Sequence, residues 1–165
     1  NRGCDYAITK IEILDPATDL PTNPTTWGPT KFRIWHQAAE SIPNGMVSFQ
    51  ITKNDGELIF FTETIPDHAL PYEITMGEAA IDIVFDRLLL SHGDYFVGAG
   101  LAIAHTRYLC HEPYALKINV DPADIFGSGS VPVAARSPLA LPHKWVTRAP
   151  RQVELLRTSQ CIEIE

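Results

Sequence analysis

Long apolar runs are missing from these 165 residues; none approaches the ~18 consecutive apolar positions that a membrane-spanning helix needs. Basic residues are also in short supply, with 13 Lys and Arg against 20 Asp and Glu and a formal net charge of −7. A protein that grips nucleic-acid phosphate regardless of sequence needs a basic footprint, and so does one that docks on anionic lipid. Both classes are therefore disfavoured, whereas sugars and neutral or cationic small partners stay open. Cysteine is nearly absent. Cys4, Cys110 and Cys161 form an odd set without CxxC spacing, so no disulfide framework can be read and a reducing compartment is the simplest reading. The sequence starts at Asn1 with neither a methionine nor a signal-peptide pattern, and a fragment of a longer protein is expected.

The usual signatures of catalysis are lacking too. There is no GxxxxGK[ST] phosphate loop, no GxGxxG after a strand, no HExxH and no GxSxG. Any pair among the 20 acids can be nominated to flank a glycosidic bond, but spacing singles out none. No catalytic residue and no cofactor is expected. His105, Cys110 and His111 carry ligand types suited to zinc, but an obvious fourth ligand is missing, so a loop with two ordinary histidines is the preferred reading. His36 falls in phase with Phe32 and Ile34, as a hydrogen-bonded core histidine would.

What is plentiful is β-branched: 16 isoleucines, eight valines and 13 threonines, broken up by 13 prolines and 10 glycines scattered along the chain. That composition suits many short strands separated by turns. Period-2 alternation picks out seven: residues 6–14, 31–38, 46–53, 57–64, 79–85, 95–103 and 115–120. Pro43-Asn44-Gly45 reads as a turn, and Asn54-Asp55-Gly56 as the tip of a hairpin, because those residues tolerate positive φ. Residues 65–77, with Pro66, Pro71 and Gly77, read as a long connection. A glycine turn at Gly93 followed by Tyr95 matches the corner of immunoglobulin-like sandwiches, where the hydroxyl ties the turn down. The expected fold is all-β: an immunoglobulin-like antiparallel β-sandwich with an irregular carboxy-terminal tail. The sandwich is placed at 1–145 and the tail at 146–165, with a short helix over 151–157 and a strand over 161–165.

One polar face stands out. Arg33, Trp35 and Gln37 alternate on the second strand, and Ser48, Gln50 and Thr52 on the third. A sugar ring offers an apolar C–H face for Trp to stack on and a rim of hydroxyls for Gln and Arg to pair. The competing reading is a solvated sheet face with one isolated tryptophan, or Trp35 at a subunit contact. His105, Arg107 and Tyr108 are the next candidates, because they bring an aromatic and two donors together.

The series Ala7-Ile8-Thr9-Lys10-Ile11-Glu12-Ile13-Leu14-Asp15, Phe32-Arg33-Ile34, Ile51-Thr52-Lys53-Asn54-Asp55-Gly56-Glu57-Leu58, Thr62-Glu63-Thr64 and Leu90-Ser91-His92-Gly93-Asp94-Tyr95 resembles the carboxy-terminal domain of Wzt, the nucleotide-binding subunit of polysaccharide ABC transporters. Gly127-Ser128-Gly129 with Pro142-His143-Lys144-Trp145 is similar to that family's closing pattern. The resemblance spans roughly Gly3 to Trp145. The segment 131–141 is longer and richer in Pro and Ala than the pattern, and the residues after Trp145 lie outside it.

The resemblance implies a non-catalytic carbohydrate-binding module that recognises the non-reducing terminus of an O-antigen polysaccharide before export. It also implies a cytoplasmic location at the inner face of the bacterial inner membrane, a preceding ATPase domain that meets the membrane permease subunit, and a homodimer, with the tail exchanged between subunits in some members. No nucleic-acid partner is implied. Two rivals remain: a structural dimerisation domain, or the same sandwich appended to a glycan-modifying enzyme such as a methyltransferase. A phosphate loop upstream would favour the exporter, and a methyl-donor-binding fold the enzyme. The site residues Arg33, Trp35, Gln37, Ser48, Gln50, His105, Arg107 and Tyr108 rest on the arguments from faces and loops, not on a family motif.

Overall fold

In the computed structural model, residues 5–65 and 72–148 are described. They hold eight strands: β1 (Tyr6–Leu14), β2 (Thr30–Ala38), β3 (Ile42–Lys53), β4 (Leu58–Glu63), β5 (Tyr72–Ile74), β6 (Gly77–Phe85), β7 (Gly93–Ile103) and β8 (Arg107–Val120). Two antiparallel sheets form. The first runs β1-β2-β6; the second runs β4-β3-β7-β8, with β5 paired to the far part of β3. The sandwich expected from the periodicity is therefore present.

Alternation decides what lies between the sheets. Phe32 and Ile34 from the first sheet meet Val47, Phe49, Ile51, Val97 and Leu101 from the second, all nearly inaccessible to solvent. Phe32 and Phe49 touch across the gap, with ring centroids 5.1 Å apart. Burying each such side chain is worth roughly 1.5–3 kcal/mol. His36 joins this layer fully buried, as its phase requires, with Nε2 3.1 Å from the Tyr72 hydroxyl.

Tyr95 behaves as the corner motif predicts. Its ring is fully buried, and its hydroxyl lies 2.9 Å from the Ser91 carbonyl and 3.1 Å from that of Pro138. The single proton is shared between the turn and the segment that folds back over it. Burial pushes the Tyr95 phenol up to about 12.

Four expectations need correction. Pro43-Asn44-Gly45 is not a turn but part of β3, with a register shift between Ile42 and Gly45 that absorbs the proline. The connection 65–77 contains β5, three residues too few to show any periodicity. The last strand begins at Arg107 instead of Ala115, so Cys110 and His111 lie in a strand and not in a loop. Ser48 and Thr52, expected on an open face, are each only 2% exposed. The hairpin at Asn54-Asp55-Gly56 forms as expected, with Gly56 at φ 91°, Lys53 N–H donating to the Glu57 carbonyl at 2.7 Å and Gly56 N–H donating to the Lys53 carbonyl at 2.9 Å. The expected tail elements over 151–165 lie outside the described residues.

Candidate functional site

β2 and β3 are consecutive in the chain but belong to different sheets. With Phe32 and Phe49 facing each other inside, the alternate residues point away from each other. Arg33, Trp35 and Gln37 lie on the outer face of the first sheet, and Ser48 and Gln50 lie on the outer face of the second, on the opposite side of the molecule. The candidates thus divide into two surfaces.

On the first sheet, Trp35 borders an open hollow of about 380 Å³ with Thr9, Lys10, Glu12 and Glu78. Its neighbours are heavily engaged with one another. The indole Nε1–H donates to Glu12 Oε2 at 2.6 Å, and Glu12 also accepts from Lys10 Nζ. The Lys10 and Trp35 hydrogen bonds hold the Glu12 carboxyl below its usual range. Arg33 donates two bonds of 2.8 Å to Asp82 and two longer ones to Asp19, which Lys31 also pairs. These ion pairs pin the β1–β2 loop to the sheet, and they keep the Asp82 and Asp19 carboxyls below the ordinary range, through Arg33 and through Lys31 with Arg33 respectively. Gln37 is exposed beside Trp35, opposite Glu78 on β6.

On the second sheet the outward row of β3 is Met46, Ser48, Gln50 and Thr52, paired with Ala102, Gly100, Gly98 and Phe96 of β7. Small residues therefore make the floor. The two glycines matter because β8 climbs over them: a Cβ at Gly98 would lie 2.4 Å from the Pro113 carbonyl oxygen, and one at Gly100 2.8 Å from Ser48 Oγ. Ladder register slips twice in this stretch, between Val97 and Ala99 and between Leu101 and Ala102. The bulged β8 becomes a raised wall, and Ser48 ends up beneath it.

That wall is aromatic. Tyr108 lies against His111 with centroids 5.1 Å apart, and His111 Nε2–H donates to Gln50 Oε1 at 3.1 Å. At the open end, Met46, Glu63, Ala102, His105, Arg107 and Tyr108 are among the residues lining a cleft of about 320 Å³. His105 sits at the tip of the β7–β8 hairpin in the left-handed region, at φ 56°. Four sequence-chosen residues, Gln50, His105, Arg107 and Tyr108, thus share one surface, while Ser48 faces the same side but is buried under β8. Sequence reasoning missed Glu63, which the alternation of β4 places outward with Phe61, and it weighed His111 as a zinc ligand but preferred an ordinary loop histidine, giving it no part in the site. Cys110 points the other way and packs against the core, so His105, Cys110 and His111 do not converge. Among the described residues no group of three or more His, Cys, Asp or Glu side chains is placed to hold a metal ion.

The family model described as the Wzt C-terminal domain matches residues 5–131. A solved structure described as the crystal structure of the C-terminal domain of wzt superposes with a TM-score of 0.68 at 15% identity, over 88% of this chain and 86% of that one. At that identity the likeness shows the fold alone. A Bifidobacterium adolescentis GH3 beta-glucosidase is similar over 74% of this chain and 19% of its own, at 10% identity and a TM-score of 0.34, too low to carry an argument. No curated protein sequence matches the chain.

Proposed function

The chain belongs to the Wzt C-terminal domain family, and from that premise we propose that it is the non-catalytic glycan-recognising part of an O-antigen ABC transporter, binding the non-reducing terminus of the polysaccharide in the cleft at the β7–β8 hairpin. The observation that carries the choice of cleft is its unspent chemistry. Among the described residues, the side chains of His105, Arg107 and Glu63 form no hydrogen bond or ion pair, while Tyr108 offers a half-exposed ring beside them. A terminal sugar needs that combination: a face to stack on, donors from Arg and His, and an acceptor from Glu. The Trp35 surface has its indole N–H and its arginine already committed. In this reading the module acts at the cytoplasmic side of the inner membrane as a homodimer, joined to the permease through an ATPase domain. Two modest sites per dimer raise avidity without new contacts.

The test is NMR titration with candidate O-polysaccharides. Tyr108→Ala should weaken binding by roughly 1–3 kcal/mol, borrowing the range for bases stacked on aromatics, and Trp35→Ala should leave it within twofold. The hollow bordered by Trp35, Lys10 and Glu78 gives the second reading its footing. If Trp35→Ala abolishes binding and Tyr108→Ala does not, the terminus sits on the first sheet.

A further inference from the structure

The molecule carries a second surface built from aromatic and cationic groups, at the opposite end of β7. Residues 125–148 contain no Asp or Glu, but include Arg136, His143, Lys144 and Arg148, in a chain whose net charge is −7. Over this segment runs a chain of rings. The Arg87 guanidinium lies 5.2 Å over the Trp27 ring; Trp27 meets Phe126 edge-on at 5.6 Å; Phe126 meets His143 at 5.0 Å; His143 meets Trp145 at 6.2 Å. The inner end is fixed, because Trp27 Nε1–H donates to the Ala140 carbonyl at 2.5 Å. The outer end is open: Trp145 is 92% exposed and Phe126 45%.

Beside the rings is an open cavity of about 460 Å³, bordered by Phe126, Ser130, Arg136 and His143, with Ser91 on its inner side. Ser91 Oγ is fully buried and has no hydrogen-bond partner, which leaves a donor and an acceptor unmet where a ligand hydroxyl or a water would satisfy them. Arg136 forms no ion pair among the described residues. His143 Nδ1 is taken by the Leu141 carbonyl at 2.8 Å, leaving Nε2 for a ligand.

We infer that this ring-and-cation surface over residues 126–148 is a second glycan-contact site, taking an internal stretch of a polysaccharide that carries carboxylate or phosphate groups. Edge-on rings with exposed faces suit sugar C–H faces, and Arg136 and Lys144 suit the acid groups. A lipid surface fits less well: polybasic membrane segments carry about 4–8 Lys and Arg in a cluster, and the hydroxyl-lined cavity has no role there. The inference rests on the reading that this chain binds glycan. It adds length, because β7 with its 11 residues separates the two sites by on the order of 30 Å at ~3.4 Å per residue. A polymer long enough to span both gains effective concentration at the second.

The three tryptophans, Trp27, Trp35 and Trp145, give three indole N–H signals to follow. Hexagalacturonate, an acidic probe, should shift those of Trp145 and Trp27, and neutral maltohexaose at equal concentration should not. Arg136→Ala should weaken the Trp145 response about tenfold, and added salt should weaken it in the parent protein by screening. Silence of both indoles with hexagalacturonate overturns the inference. So does a response confined to vesicles of phosphatidylglycerol and phosphatidylcholine, or a Trp145 shift that follows protein concentration without glycan, which marks a contact between copies. If O-polysaccharide moves the amides of 105–108 while Trp145 stays silent, the hairpin cleft stands and the second surface falls; the reverse pattern removes the cleft and keeps the surface.

Discussion

His36 shows what burial does to a single titratable group. It is fully buried between the sheets, its one partner is the Tyr72 hydroxyl at 3.1 Å, and its Nδ1 has none. Desolvation lowers its pKa from 6.5, because the charged ring would lose its hydration without a carboxylate to replace it. The unfolded chain therefore binds the proton more readily than the folded one. The stability this group contributes is fully present above pH 6.5 and is lost as pH falls from there through the lowered folded value. Asp19 and Asp82, held low by Arg33 and Lys31, act in the same direction only once pH drops towards the ordinary carboxylate value of 3.8. Thermal melts should thus show a first loss of stability that begins as pH falls below 6.5, ahead of the acid unfolding that sets in towards the ordinary carboxylate value. His36→Gln should flatten the first step and keep the second. An unchanged first step would move its origin to another histidine.

Strands were legible in the sequence wherever alternation ran for six residues or more, because a half-buried sheet face imposes period 2 on side-chain chemistry. Tyr6–Leu14 was read to the residue. Partnership between strands was not legible. Nothing local in Trp35 or Gln50 records that β2 pairs with β1 and β6 while β3 pairs with β4, β5 and β7, so two outer faces read as one. The same limit hid the wall of the candidate cleft, which exists because β8 bulges over Gly98 and Gly100, a long-range fit that leaves only two glycines as its trace. Those glycines make the point testable. In Gly98→Ala the new Cβ would meet the Pro113 backbone at 2.4 Å, so β8 must lift. The expected cost is roughly 1–3 kcal/mol, as for other overpacked sites. The His111–Gln50 hydrogen bond should be lost with it, read as a shift of the Gln50 side-chain amide signals. A variant as stable as the parent, with that amide unmoved, would show that β8 can give way without cost.

At the scale of the whole molecule the described residues close the sandwich on one side and leave it open on the other. β1 packs against β8 and β7, whereas the far edges belong to β6 and β4, neither of which has a second strand partner among the described residues. Between those edges lies an apolar hollow of about 360 Å³ lined in part by Ile59, Phe60, Phe85, Leu139 and Leu141. Val84 on β6 and Leu141 are each 52% exposed. Unpaired edges next to apolar surface invite strand addition unless something covers them. The proposed homodimer supplies a cover of the right chemistry: Cys161-Ile162-Glu163-Ile164-Glu165 alternates as an added strand must, with isoleucines for the hollow and glutamates for solvent. Light scattering at micromolar concentration should then give about twice the 18.3 kDa of one chain. Removing 146–165 should shift the population to monomer, and Val84→Glu, which would set a charge on the β6 edge where the added strand's glutamates are proposed to lie, should weaken the dimer while leaving the far-UV β signature intact. The untruncated 165-residue chain scattering as a clean monomer sinks the dimer. A dimer indifferent to both changes is held together by some other face, and the open edge then needs a different occupant.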